Sequence, residues 1–375
     1  MTHEDRLEKA REILTRRAQH ILPDKEGVAR RLASETPQTF YLGIDPTGPD
    51  IHIGHTVPLL FLEEIASLGH SIILLVGDFT ARIGDPTGKD STRVILTPED
   101  VGENMMKYES QLRAILPTTE FRIVYNSSWL DTMTLGSVLG LTSHVTVQQM
   151  IVRDMFQERL KQEKPIAISE FLYPLLQGYD SVALRIDGEV GGNDQLFNMM
   201  MGRDLCRELI GTDKMVVATH LVVDPVSGKK MSKTEGTLIA VSDVPAEIRR
   251  KILALHDTSI ETIFRLCTRK TVNDIAETMK LDPREQKELL AKELIGMYHG
   301  EGAIAEAQHE QEIQVAGPII EVLKSVNVAT SNGEAKRLID QGGVFINDLK
   351  ISSWDMEVSS GDVIRVGKGR VYRVK

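Results

Sequence analysis

The chain has 375 residues, more than one ordinary compact core accommodates, so two or three domains are expected. Apolar residues at 41% and charged residues at 26% fit a soluble globular enzyme and exclude a disordered or fibrous chain. A formal net charge of −10 argues against a protein that coats DNA.

In chain order, Met1-Thr-His-Glu-Asp-Arg leads into a charged amphipathic stretch with no secretory h-region, which points to a cytoplasmic protein. Helices are expected over 4–20 and 25–35. Phe40–Ile44 reads as an apolar strand ending in the turn Asp45-Pro-Thr-Gly-Pro-Asp50. A helix follows over 53–68, with Leu59, Leu60, Leu62, Ile65 and Leu68 as its apolar positions and Gly69 as its stop. Ser71–Val76, the best apolar run, has the length of a strand and cannot span a bilayer. Helix 98–116, strand 121–125, helix 144–162, strand 182–186, helix 194–209 and strand 215–219 are expected next. From 245 to 314 the pattern is helical only, and a helical pair with a small sheet closes the chain from 318. Cys206 and Cys267 are too few for a disulfide framework or a four-ligand zinc site and read as reduced, buried thiols.

Strands that are apolar throughout, alternating with helices, imply a parallel sheet covered on both faces. The expected fold class is α/β: a Rossmann-like parallel-sheet domain with N-terminal helices over 1–240, a helical domain over 241–314 and a small α+β module over 318–375. Ligands of such sheets sit at the C-terminal ends of the strands, which directs attention to the loops after residues 44, 76 and 219.

Two clusters stand out. In Ile51-His52-Ile53-Gly54-His55, two histidines three apart share one face of a first helical turn, and Gly54 lets a ligand approach the backbone. Imidazole donors at a helix N-terminus suit a phosphate; a metal pair would need further ligands that are absent at metal spacing. In Gly228-Lys229-Lys230-Met231-Ser232-Lys233-Thr234, three lysines within five residues make a basic loop able to close on a phosphate chain. A Walker A loop is excluded, because Ile83 and Val223 stand where its first glycine belongs.

Together, His52-Ile-Gly-His55 and Lys230-Met-Ser-Lys-Thr234 resemble the HIGH and KMSKS signatures of the class I aminoacyl-tRNA synthetases, with Thr234 keeping the hydroxyl of the usual serine. The flanking Tyr41-Leu-Gly-Ile-Asp-Pro-Thr47, Ile83-Gly-Asp-Pro-Thr-Gly-Lys89, Tyr173-Pro-Leu-Leu-Gln-Gly-Tyr-Asp180 and Gly191-Gly-Asn-Asp-Gln195 are similar to the bacterial tyrosyl-tRNA synthetase family. The resemblance implies that Tyr41 and Asp180 bind the phenol hydroxyl of tyrosine. Tyr173, Gln177 and Asp85 would hold its α-amino group, and Gln195 would lie near the carboxyl group. Asp45, Thr47, His52, Gly54 and His55 would face ATP, and Asp194 its ribose. Lys230, Lys233 and Thr234 would clamp the pyrophosphate, with Lys89 and Arg93 reaching the phosphates. His52, His55, Lys230, Lys233 and Thr234 are thus the implied catalytic set. ATP is a substrate accompanied by Mg2+, and no cofactor is tightly bound. An Asp–Tyr pair can both accept from and donate to a phenol, whereas phenylalanine would leave both groups unpaired.

The C-terminal stretch is basic on an otherwise acidic body: residues 318–375 hold nine Lys/Arg against seven Asp/Glu. Ser331-Asn-Gly-Glu-Ala-Lys-Arg-Leu-Ile-Asp340 reads as a capped helix with Lys336 and Arg337 outward, and Gly361–Arg370 as two strands about a turn carrying Lys368 and Arg370. This resembles a small RNA-binding fold that the family appends to grip tRNA, bound by shape and phosphate contacts. Helix 144–162, with Val145, Val147, Met150, Ile151, Met155 and Phe156, reads as a core helix, and the resemblance places a homodimer interface there. The implied partners are tRNA(Tyr), L-tyrosine, ATP and a second copy of the chain, with no membrane and no DNA. A tryptophanyl-tRNA synthetase would not supply Tyr41 with Asp180. A small-molecule nucleotidyltransferase lacks a helical domain plus an RNA module of this size. A synthetase-derived splicing protein would have lost catalytic residues.

Overall fold

The N-terminal helix His3–Arg16 starts at Thr2, whose hydroxyl accepts the Asp5 N–H at 3.2 Å. It ends earlier than the apolar pattern suggests. The Arg17 guanidinium turns inward to Glu64 and to the carbonyls of Leu266 and Thr268. Residues Ala18–Leu22, the first three of them expected in the helix, form a strand instead (β1). In this computed structural model, which describes residues 2–87, 96–223, 238–307, 310–347, 349–367 and 370–375, the chain divides into two units. The first comprises Met1–Ser232 with Glu261–Ile275, and the second Lys233–Ile260 with Ala276–Lys375.

The first unit is organised on a six-stranded sheet, β1 with Thr39–Ile44 (β2), Ser71–Val76 (β3), Arg122–Tyr125 (β4), Gly188–Gly192 (β5) and Met215–Thr219 (β6), in the order β1-β6-β5-β2-β3-β4. All neighbours run parallel except β1, which pairs antiparallel with β6 at the edge. The strand order reverses between β5 and β2, and parallel sheets open a ligand crevice at such a point. Tyr41 and Glu189 are register partners across it, so their side chains leave the sheet on the same face.

Several expected elements are redrawn. Val182–Ile186 is not a strand: the helix Ile168–Leu184 runs through it and stops at Arg185, whose backbone is left-handed with φ 49°. The strand comes later, and its glycines hide it from an apolar count. Gly188 has no room for a side chain, since a Cβ would lie 2.2 Å from the Phe40 ring. Helix 98–116 is two helices, Pro98–Met105 and Tyr108–Ile115. Helix 144–162 is also two, Val147–Ile151 and Asp154–Lys161, parted at Arg153. There the backbone is extended and the side chain reaches in to Thr87 Oγ1 at 2.8 Å. Helices Ile168–Leu184 and Leu196–Ile210 cross at closest approach where Gly178 faces Gly202; a Cβ on Gly178 would meet the Gly202 nitrogen at 3.1 Å.

Residues 261–275, expected in a helical domain, belong to the first unit. There Arg269 pairs with Glu63, and the Cys267 thiol lies buried against the Ile53 carbonyl, burial pushing its pKa up to about 12. Cys206 is likewise a buried free thiol. The second unit contains the helices Pro245–Ala254 and Pro283–His299, joined by the ion pair Arg249–Glu288. Its C-terminal sheet orders Leu349–Lys350, Val344–Ile346, Val363–Val366, Arg370–Val374 and Glu310–Ile313. The last strand corrects the purely helical reading to 314: residues 310–313 run parallel to the chain's final strand. Ile319, Val322, Ile339, Val344, Ile364 and Val374 form the core beneath that sheet.

Candidate active site

Asp45 leaves the end of β2, and its two carboxylate oxygens accept from the Thr80 hydroxyl at 2.8 Å and the Tyr173 hydroxyl at 2.9 Å. Gly77, after β3, is glycine for a steric reason: a Cβ would sit 2.0 Å from Asp45 Oδ1. Thr47 is exposed, its N–H donating to the Asp45 carbonyl.

His52 caps the helix Ile53–Ala66. Its Nδ1 accepts the Gly54 N–H at 3.1 Å, and His55 Nδ1 accepts the His52 N–H at 3.3 Å. With both Nδ1 atoms accepting, each neutral ring carries its proton on Nε2. The rings stack with centroids 3.7 Å apart. Gly54 leaves space for the imidazole itself, because a Cβ there would press on His52 Cε1 at 3.0 Å. That adds a reason for the glycine beyond close approach of a ligand.

A second cluster lies beside the first. Asp180, on Ile168–Leu184, is buried; Oδ1 accepts the Trp129 indole N–H at 2.8 Å and Oδ2 the Asn126 amide at 3.3 Å. Burial pushes its carboxyl well above the usual range, while those two hydrogen bonds pull it part of the way back. Tyr41 is buried against Ile73, Leu75, Ile186 and Trp129, and its hydroxyl meets Ser181 Oγ at 2.9 Å. The expected Asp180–Tyr41 pair is therefore adjacent but indirect, each group also holding a protein partner. Burial, reinforced by Glu189 and Asp180, keeps the Tyr41 hydroxyl protonated far above its ordinary range.

The remaining expected residues form one chain of amides and carboxylates. Gln195 Nε2 donates to Asp85 Oδ2 at 2.7 Å, and Asn198 Nδ2 donates to Gln195 Oε1 at 3.1 Å and Gln177 Oε1 at 2.9 Å. Asp194 sits in the turn Asn193–Gln195 with its carboxylate folded over Gly192, where a Cβ would lie 2.6 Å from Oδ1. Lys89, Arg93, Lys230, Lys233 and Thr234 lie outside the described residues, as do Lys368 and the Arg370 side chain. In the C-terminal module Lys336 lies over the Trp354 ring at 4.4 Å, half-buried rather than simply outward, and Arg337 is exposed.

Asn126, Trp129, Ser181, Glu189, Lys214 and Asn198 complete the cluster and escaped the motif reading. Asn126 and Trp129 follow directly on β4, so the loop after residue 125 carried the same strand-end signal as the loops that were singled out. Lys214 and Glu189 form a buried ion pair. Arg153 lies over the Phe197 ring at 4.3 Å with its Nη1 buried and lacking a hydrogen-bond partner.

The family of tRNA synthetases class I (W and Y) matches residues 33–313 of the chain. The chain belongs to this family. The tyrosine–tRNA ligase of Carboxydothermus hydrogenoformans is 39% identical over 99% of this chain and 98% of its own length. That of Thermotoga maritima is 39% identical over 96% of each. A truncated mitochondrial tyrosyl-tRNA synthetase from Coccidioides posadasii superposes with a TM-score of 0.67 at 21% identity, covering 81% of this chain and 94% of that one. The tyrosyl-tRNA synthetase of Archaeoglobus fulgidus complexed with L-tyrosine does so with 0.62 at 20% identity, over 80% and 98%. At such identities these structures speak for the shared fold.

Proposed function

We propose that the chain is a tyrosine–tRNA ligase: it activates L-tyrosine with ATP to tyrosyl-adenylate, then transfers the tyrosyl group to tRNA(Tyr), releasing pyrophosphate and AMP. The observation that carries this reading is the buried Asp180 carboxylate beside Tyr41, at an apolar wall of Ile73, Leu75 and Ile186. Burying a carboxylate costs several kcal/mol, roughly, even with two donors on it. A ligand that brings a phenol hydroxyl to that spot gives the cost a use. An indole of tryptophan would bring only a donor and leave the Tyr41 hydroxyl without its acceptor.

On this reading Asp180 accepts from the phenol and Tyr41 donates to it. The α-ammonium meets Asp85, Tyr173 and Gln177, and the carboxyl group lies towards Gln195. Asp45, Thr47, Gly54 and Asp194 face ATP, with Lys89 and Arg93 at its phosphates. The tyrosine carboxylate attacks the α-phosphorus in line, and pyrophosphate leaves with the charge. Lys230 and Lys233 neutralise that charge as it develops, while His52, His55 and Thr234 stabilise it with hydrogen bonds. Mg2+ travels with ATP; among the described residues no three His, Cys, Asp or Glu side chains are grouped to hold a metal ion. Tyrosine-dependent exchange of labelled pyrophosphate into ATP tests the reading directly. Exchange that follows tryptophan or no amino acid would overturn it.

The working form is a cytoplasmic homodimer. Val147, Val152 and Leu160 are exposed apolar side chains within the region assigned to the interface, with Leu135, Leu139 and Ile168 exposed in the chain on either side of it, and no described helix is long and apolar enough to cross a membrane. Sedimentation at micromolar concentration is expected to report twice the chain mass; a fully active monomer would defeat this. The C-terminal module grips tRNA through Lys336, Arg337, Lys368 and Arg370. Because residues 310–313 belong to its sheet, the clean cut falls before 310 rather than at 318. Removing the module is expected to leave pyrophosphate exchange intact while tRNA charging falls steeply and loses salt dependence. Undiminished charging by the shortened chain would show the module to be dispensable.

A further inference from the structure

We infer that Lys214, Ser181 and Glu189 form a directional hydrogen-bond relay that turns the Tyr41 hydroxyl proton into the pocket, making Tyr41 a donor to the phenol oxygen. The inference rests on the tyrosine pocket proposed above, and adds residues that do not touch the substrate.

The Lys214 side chain is fully buried and paired with Glu189. Its ammonium can only donate, and it lies 2.6 Å from Ser181 Oγ. Ser181 Oγ therefore accepts there and keeps one proton to give. Two acceptors are in reach: the Tyr41 oxygen at 2.9 Å and Glu189 Oε2 at 3.3 Å. The Tyr41 contact is the shorter. Glu189 already takes the Lys214 ammonium and, at 3.4 Å, the Gln177 amide. With the Ser181 proton on the Tyr41 oxygen, the Tyr41 proton must point away from Ser181; Glu189 also faces that hydroxyl, but its Oε2 already holds the Lys214 ammonium, which leaves the phenol oxygen as the better acceptor. A phenol whose own proton goes to Asp180 needs a donor on its oxygen, and the relay supplies one oriented in advance. The same chain explains two sequence features. Gly202 is glycine because a Cβ would lie 2.5 Å from Lys214 Nζ and 2.9 Å from Ser181 Oγ. Glu189 interrupts an otherwise Gly/Val strand because its register partner is Tyr41. An apolar pair would fill the volume of Lys214 and Glu189 at little cost in stability, but would carry no direction.

The relay acts only on a substrate with a phenol hydroxyl. Lys214 and Ser181 are thus positioning residues, and their signature is selectivity. The test compares kcat/KM for pyrophosphate exchange with tyrosine and with phenylalanine, in the full chain, for Ser181→Ala and for the double variant Lys214→Met/Glu189→Leu. The double variant keeps both hydroxyls and removes the input to the relay; it also frees the Gln177 amide from Glu189, an effect that reaches the α-ammonium of both amino acids alike and cancels in their ratio. The expected result is a loss of about tenfold in the tyrosine-to-phenylalanine ratio in each variant, carried by tyrosine while the phenylalanine rate holds or rises. A ratio unchanged in the double variant, including an equal fall for both amino acids, would overturn the relay. Unaltered chain that fails to exchange with tyrosine would overturn the pocket itself, and the relay with it.

Discussion

Replacing Asp180 with alanine is expected to lower tyrosine-dependent pyrophosphate exchange by about a hundredfold or more, while ATP binding, measured by calorimetry without amino acid, stays within about twofold. The size follows from two losses. The phenol forfeits a hydrogen bond to a charged acceptor, and the Trp129 and Asn126 donors lose their partner inside a buried site; about 3 kcal/mol together is a modest total. The free protein should not melt much lower. Burial holds the Asp180 carboxyl well above its usual range, so removing it also removes a desolvation cost. Large loss of exchange with near-native melting is the mark of a ligand-binding carboxylate. A variant that melts far lower and loses ATP binding in proportion would make Asp180 a structural residue. Normal tyrosine dependence would empty the pocket assignment altogether.

The parts of this fold that were legible in the sequence share one property: the local pattern and the tertiary environment agree. β2 and β3 are apolar throughout because they are central and covered on both faces, and they read as strands on sight. β5 is equally central, yet its three glycines serve Phe40, Met199 and Asp194 rather than strand propensity, so the expectation slid to the apolar end of the preceding helix. β1 lies at the edge, where a five-residue stretch has too weak a period to separate it from the helix before it. The break at Arg153 reflects a side chain drawn towards Thr87, a contact no helical period can announce.

The site follows the same division. Residues assigned to the substrates stand in short motifs, some at strand ends and some on one face of the helix Ile168–Leu184, and could be found there. Their supports could not. Ser181, Glu189 and Lys214 come from a helix, a strand and a loop, and meet only because β5 and β6 are neighbours in the sheet and Gly178 lets two helices close over them. A buried lysine before one strand and a glutamate within another look unrelated until the register pairs Tyr41 with Glu189. The fully buried ion pair beside the pocket is the kind of expense that a core filled with apolar residues would avoid, and so it directs attention back to function.

The histidine pair is expected to act mainly in the transition state. Replacing His55 with alanine should slow adenylate formation by roughly a hundredfold, the size of one lost contact to developing charge, while the dissociation constant for ATP changes far less. The geometry gives the reason. Both Nδ1 atoms are occupied by backbone N–H groups, which holds the rings as neutral donors through Nε2 and fixes their direction before ATP arrives. Ground-state ATP spreads its charge along the triphosphate; departure of pyrophosphate concentrates it at the leaving group, where fixed donors gain most. His52 needs a different substitution, because it also caps the helix Ile53–Ala66 and its loss would unsettle the helix start as well as the chemistry. His52→Asn keeps an acceptor for the Gly54 N–H but loses the reach of Nε2, so it should match His55→Ala in rate without lowering the melting temperature. Stopped-flow measurement of adenylate formation across ATP concentrations separates the two parameters. An unchanged maximal rate with a greatly weakened ATP affinity would reduce the pair to holding the nucleotide, and the assignment of His52 and His55 to the departing pyrophosphate would fall.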